Sequence, residues 1–340
     1  MRRSRILASL GCLLLTMALP AVARADPFRL IVTDLTTPLV PNSVMELAKS
    51  LGYFEREGVD VELIRIQETP LALSALGAGE GDMANVSVDA TLRLVARGQM
   101  DLRAVVSPNK SLPYIVAAKN DIATPRDLEG KSFGVGRVGS LDHSLSLKVI
   151  SAAGVDTSRV QIVALGQPNI RAQALAAGRI DATTISIGAW RAMADPSGLH
   201  VLIDQDAYYR AAPIVSKVNV VTAETLAGKR TEIAAVVRAL VKASRDFAAD
   251  PAKWVDAMAV ERPDVDRKSL EELARAYRSS WSVNGGLSAT ELAYTADWLY
   301  HSPDFQKLAR VALKQWVDFS VLDEVLATEK PVSGMDEPSR

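Results

Sequence analysis

Ala75-Leu76-Gly77-Ala78-Gly79-Glu80-Gly81-Asp82 returns about a hundred residues later as Ala174-Leu175-Ala176-Ala177-Gly178-Arg179-Ile180-Asp181. Each copy follows a Gly-Val-Asp, at Gly58-Val59-Asp60 and at Gly154-Val155-Asp156. Between the two marks lies a β-rich run, 61–66 in the first copy and 160–165 in the second. A helix then closes on Gly79 or Gly178, where a left-handed residue ends a helix without a side-chain penalty. A short strand opens at Asp82 or Asp181. Strand–helix–strand written twice predicts two α/β lobes of one plan.

Working outward, the chain fits that plan. Residues 28–33 read as a first strand, and Ser43 with Glu46 has the spacing of a capping box. Thr124-Pro125 opens a short helix that stops at Gly130, and 132–135 is the next strand. From Thr231 onward the apolar residues recur at helical spacing, punctuated by Pro251, Pro263, Asn284-Gly285-Gly286 and Pro303. Ser288 and Glu291 form a second capping-box pattern, with Leu287 and Leu292 as its staple. Ser302-Pro303 is expected to open the last helix, and residues 331–340 to trail as a loose tail.

Composition narrows the function. The chain has 340 residues, which favours two lobes over one core. With 39 basic and 40 acidic residues it has no basic stripe of the kind nucleic acid requires. Residues 1–25 read as a cleaved signal peptide: Arg2, Arg3 and Arg5, an apolar run over 6–19, and Ala23-Arg24-Ala25 as the small-x-small site. Removal of its four arginines leaves 35 basic against 40 acidic residues and takes away Cys12, the single cysteine. The mature chain is therefore expected to be periplasmic and free of disulfides. His143, His200 and His301 share no metal-ligand spacing, so neither metal nor cofactor is expected. Gly134-Val135-Gly136-Arg137-Val138-Gly139 is a literal G-x-G-x-x-G. The following strand, however, ends in Gly166-Gln167-Pro168 and not on the acidic residue a dinucleotide ribose needs.

Several segments resemble the solute-binding proteins of nitrate, sulfonate and taurine ABC importers, which have the type II periplasmic binding protein fold. They are Leu51-Gly52-Tyr53-Phe54-Glu55-Arg56-Glu57-Gly58, the two Ala-Leu-x-x-Gly-x-x-Asp copies, Asp127-Leu128-Glu129-Gly130-Lys131 and Gly139-Ser140-Leu141-Asp142-His143. The resemblance implies two α/β lobes joined by two crossover segments, with a helical C-terminal part. Lobe one would take 27–112 plus 218–330, lobe two 113–217, and the crossovers would be the strands 114–118 and 214–221. It implies a monomeric protein that delivers a small organic solute, such as a sulfonate, to a membrane permease without a chemical step. An enzyme on the same fold, of the pyrimidine- or menaquinone-forming kind, and a receptor for a membrane kinase are the alternatives.

Ligands of open α/β sheets sit beyond the strand ends, against helix N-termini. Four turns qualify: the loop carrying Thr36, Thr37 and Pro38; Ser87-Val88-Asp89; Ser140-Leu141; and Ser186-Ile187-Gly188. With Asn109 they are the expected ligand contacts, although Ser87, Asp89 and Ser140 are equally ordinary helix-start residues. Leu141, Asp142 and Ile187-Gly188 depart from the hydroxyl-rich and bulky residues of the sulfonate binders. These departures point away from a small anion and toward a larger or less charged ligand.

Overall fold

The structure is a computed structural model that describes residues 26–108, 114–138, 141–191, 193–302, 304–334 and 336, the side chain of Leu141 excepted. Ten strands build it: β1 (Phe28–Val32), β2 (Val61–Arg65), β3 (Met83–Ser87), β4 (Leu102–Val106), β5 (Tyr114–Lys119), β6 (Ser132–Val135), β7 (Gln161–Ala164), β8 (Ala182–Ser186), β9 (Leu199–Ile203) and β10 (Lys217–Thr222). They form two sheets of five, ordered β2-β1-β3-β10-β4 and β7-β6-β8-β5-β9. The two orders correspond position by position. In each, three parallel strands meet an antiparallel one, β10 in the first sheet and β5 in the second. The fold is two α/β lobes of one plan, joined by two crossings, with a helical C-terminal part.

The repeat explains the likeness. The helix Thr69–Gly77 and its counterpart Pro168–Ala176 both turn out through a glycine at positive φ, Gly79 at 75° and Gly178 at 69°. The aspartate that follows performs one task in both lobes. Asp82 accepts from the backbone N–H of Arg29 at 2.8 Å and from Lys229 Nζ at 2.9 Å. Asp181 accepts from the N–H of Ser132 at 2.9 Å, its hydroxyl at 2.7 Å, and Lys119 Nζ at 2.7 Å. Each carboxylate thus pins the start of one strand to its parallel neighbour. Burial opposes ionisation of Asp181, but Lys119 and the Ser132 donors outweigh it and hold the group at about 2.

Two other resembling segments are also structural. Phe54 is fully buried and Tyr53 nearly so, with Tyr53 edge-on to Phe247 of the long helix Arg230–Ala249. Thr124-Pro125 opens a short helix as expected, the 3₁₀ turn Pro125–Leu128, and Asp127 Oδ2 accepts from the Thr124 N–H at 2.7 Å and its hydroxyl at 2.9 Å.

Three local expectations give way. Ser43 does not cap by its side chain, because the 3₁₀ turn Pro41–Ser43 already runs into the helix Val44–Ser50. Its hydroxyl instead accepts from the buried indole of Trp254 at 3.0 Å. Ser302 donates its hydroxyl to the Leu299 carbonyl, at the end of the helix Ala289–Tyr300, and the last helix begins only at Ser320. The described part of the tail is not loose. Asp336 is buried and accepts from the N–H groups of Asn284 and Gly286 at 2.7 and 2.9 Å, closing the Asn284-Gly285-Gly286 turn.

The C-terminal helices pack mainly on the first core, and the helix Ala289–Tyr300 reaches the second through Tyr294 and Trp298. Among the described residues no helix is long and apolar enough to cross a membrane.

Candidate functional site

A cleft of about 270 Å³ opens between the lobes. Lobe one contributes Ser87, Val88 and Asp89, at the end of β3 and the start of the helix Val88–Ala96. The second sheet contributes Tyr114 at the head of β5, and its first helix, Leu141–Ala152, contributes Asp142 and Leu145. The crossing before β10 adds Ile214, Val215 and Ser216, and the helix Ala289–Tyr300 adds Thr295 and Leu299. The walls are mostly apolar, with a few oxygens set into them.

Those oxygens differ in how far they are occupied. Thr295 Oγ1 donates to the Glu291 carbonyl and accepts from Val215 N–H, so it ties the crossing to its helix. Asp142 is fully engaged. Oδ2 accepts from Gly136 N–H at 2.6 Å and from Arg171 Nη1 at 3.0 Å, and Oδ1 accepts from Nη2 at 3.1 Å. Arg171 is almost wholly buried and also donates to the carbonyls of Thr184 and Gly166. Gly136 N–H is the donor a phosphate would use in a G-x-G-x-x-G loop, and here Asp142 takes it. By contrast Ser87 Oγ, Tyr114 OH and Ser216 Oγ make no hydrogen bond among the described residues. Ser87 is the residue before its helix, yet its hydroxyl does not cap it.

Beside the cleft, at the outer ends of β1 and β2, lies a second polar group. Lys217 Nζ donates to Thr33 Oγ1 at 2.9 Å and pairs with Asp34 at 3.4 Å. Asn42 Nδ2 donates to Asp34 Oδ2 at 3.1 Å. Glu46 is buried and faces Arg65 at 3.3 Å. Burial, aided by nearby Asp34, pushes its carboxyl up to about 7 against the pull of Arg65 and a backbone N–H. Arg65 also donates to the Asp34 carbonyl, so this group sets the shape of the loop after β1.

The expected contact residues separate accordingly. Ser87 and Asp89 line the cleft. Thr37 is buried, donating to Glu261 Oε2 at 3.2 Å and accepting from Arg65 Nη2 at 3.4 Å, while Thr36 is exposed and Pro38 half-buried. Ser186 accepts from Ala189 N–H at 3.1 Å, capping the short helix that follows β8. None of these last four is among the lining residues. Asn109 and Ser140 lie outside the described residues, and only the backbone of Leu141 is described. Sequence reasoning named Tyr114 and 214–216 only as crossover positions, and missed Thr295 and Leu299 altogether. Nothing in a helical tail marks which turn will meet a cleft formed by residues far away in sequence.

Two lobes closing on a cleft across two crossings define the periplasmic binding protein fold. The sequence profile described as NMT1/THI5 like matches residues 43–254, more than half the chain, and the chain belongs to that family. A provisionally named binding protein of Brucella abortus (strain 2308) is 29% identical over 287 residues, spanning 79% of this chain and 86% of its own. The periplasmic aliphatic sulphonate binding protein SsuA from Escherichia coli superposes with a TM-score of 0.66 at 18% identity, over 86% of this chain and 92% of its own. The desulfurization enzyme DszB superposes at 0.61 with 16% identity, over 89% of this chain and all of its own. At such identities these structures share the fold with this chain.

Proposed function

We propose that this chain is a solute-binding protein of an ABC importer, exported to the periplasm, that captures a small organic solute between its lobes and hands it to a membrane permease. The observation that carries this reading is the cleft, which draws residues from both sheets, a crossing and the helix Ala289–Tyr300, and holds hydroxyls with no hydrogen bond among the described residues. Such a cleft changes shape when the lobes rotate about the crossings, and binding energy spent on closure is what a permease can sense. In this reading lobe one is 27–112 with 218–330, lobe two is 113–217, and the protein acts as a monomer. The contacts are those lining the cleft, together with Asn109, Ser140 and Leu141.

An enzyme on this fold is the second reading, and the likeness to DszB favours it. It requires a nucleophile paired with a base. Ser87, the hydroxyl best placed at a helix start, has no such partner among the described residues.

Native mass spectrometry of protein purified without refolding, joined to small-angle scattering before and after ligand removal, tests the proposal. A bound small molecule whose loss expands the particle supports it. Turnover of a bound compound, or a particle whose dimensions never respond to any ligand, overturns it.

A further inference from the structure

We propose that the cleft selects an organic cation, an amine carried on an apolar body, with Asp89 as its counter-ion. The inference rests on the solute-binding reading and names the class of solute.

Three observations converge. First, among the described residues that line the cleft there is no lysine, arginine or histidine, whereas two carboxylates are present. Lys217, next to Ser216, is committed to Thr33 and Asp34.

Second, the helix starts that line the cleft are poor places for an anion. A helix N-terminus attracts an anion through its unpaired N–H groups and partial positive charge. Both helices whose starts line the cleft carry an aspartate in the first turn, Asp89 in Val88–Ala96 and Asp142 in Leu141–Ala152. Val88 N–H is taken by the Ser216 carbonyl at 3.1 Å. A sulfonate would meet the Asp89 carboxylate at one helix start and the Asp142–Arg171 pair at the other.

Third, the two aspartates are not equivalent. Asp142 has both oxygens tied to Arg171 and so presents a neutral pair. Asp89 accepts no hydrogen bond among the described residues. Its nearest cation is Arg93 at 3.8 Å, which stands equally far from Asp304 and lies over the Phe305 ring. Its pair with Arg93 is long, so Asp89 keeps its acceptor oxygens for a charge-assisted hydrogen bond from an ammonium, about twice as strong as a neutral one. The oxygens of Ser87, Ser216 and Tyr114, which make no hydrogen bond among the described residues, supply further acceptors. Val88, Leu145, Ile214, Val215 and Leu299 take the apolar body.

The experiment is calorimetric titration with three probes that share one body: 2-phenylethylamine, 2-phenylethanol and 2-phenylethanesulfonate. The amine is expected to bind about tenfold tighter than either other probe, with an affinity that falls as salt is added. Asp89→Asn should erase that advantage and leave the alcohol within about twofold of its original affinity. A sulfonate that binds as tightly as the amine, an advantage that survives Asp89→Asn, or no binding of the amine at millimolar concentration overturns the proposal. If Asp89→Asn does not fold, the salt dependence in the parent protein decides: an amine affinity indifferent to salt sinks the assignment. Failure here alongside a co-purified solute and ligand-induced compaction would remove only the cation class and leave solute capture standing.

Discussion

The two lobes share one sheet plan and one aspartate clamp, but they complete the clamp with different parts of the chain. In lobe two, Asp181 is met by Lys119, from β5 of its own sheet. In lobe one, Asp82 is met by Lys229, which lies beyond β10 and arrives only after the chain has passed through the other lobe and returned. The difference is one of autonomy. The second sheet is closed by contiguous sequence, 114–203, whereas the first needs β10 between β3 and β4 before it is complete. A repeat in sequence therefore does not mean a repeat in how each unit is held.

The largest break in the comparison should come from Arg171, which has no equivalent described in lobe one. It is buried, with donors to Thr184, Gly166 and Asp142. Arg171→Met removes them all and leaves Asp142 holding only Gly136 N–H in a largely enclosed site. Breaking a buried pair from one side costs about 3–5 kcal/mol. Chemical denaturation should show a loss of that size. The double variant Arg171→Met with Asp142→Asn should recover part of it, because the stranded charge is gone. A single variant as stable as the parent would mean the pair does not hold the lobe.

Next in size are the clamps. Asp82 is the more enclosed, with its side chain 6% exposed against 25% for Asp181. Replacing each by Asn should cost about 1–3 kcal/mol, with Asp82 at the upper end because its carboxylate is the more enclosed. Both carboxyls lie below the ordinary range, since their donors outweigh the burial that would raise them. The linkage sign follows: the stability they add is present above the unfolded value of 3.8 and is lost as pH falls through about 2 for Asp181. Acid titration of the parent and of Asp181→Asn should therefore converge as pH drops from about 4 to about 2. Curves that stay parallel would show that the clamp is not ionised in the fold.

The repeat made the two lobes and the helix exits at Gly79 and Gly178 legible from sequence, because periodicity and positive-φ turns are local properties. The β3 turn was legible too: Ser87 and Asp89 follow from strand, then helix start, and both line the cleft. What local reasoning could not see was long-range. Ser43 looked like a cap until Trp254 came from across the chain to use its hydroxyl. Asp142 stood out as a departure from the sulfonate binders, and its buried partner Arg171 lies 29 residues on. Residues 331–340 read as a loose tail because the turn that Asp336 satisfies is 50 residues earlier.

The smallest effect concerns the turns that leave β2 and β7. Residues 66–68 and 165–167 join strand to helix, and each connection has one left-handed residue two positions before a proline. In lobe two it is Gly166, at φ 80°. In lobe one it is Glu68, at φ 72° and ψ 142°, a region that a side chain strongly disfavours. Such a residue costs on the order of 1–3 kcal/mol, while a glycine in its place gives back about 0.5–1 kcal/mol through the freer unfolded chain. Glu68→Gly should then stabilise the protein by roughly 0.5–1 kcal/mol, and Gly166→Ala should destabilise it by at least as much. Thermal unfolding of the two variants is the measurement, with solute affinity read alongside. Glu68 is exposed on the side of the sheet where the cleft opens. Should Glu68→Gly raise the melting temperature and leave binding intact, the strain is an accident of divergence between the lobes. Should it cost affinity, the strained turn holds the carboxylate for a purpose. A fall in stability would mean that the side chain makes a contact worth more than the strain, and that the two turns are less alike than their backbones.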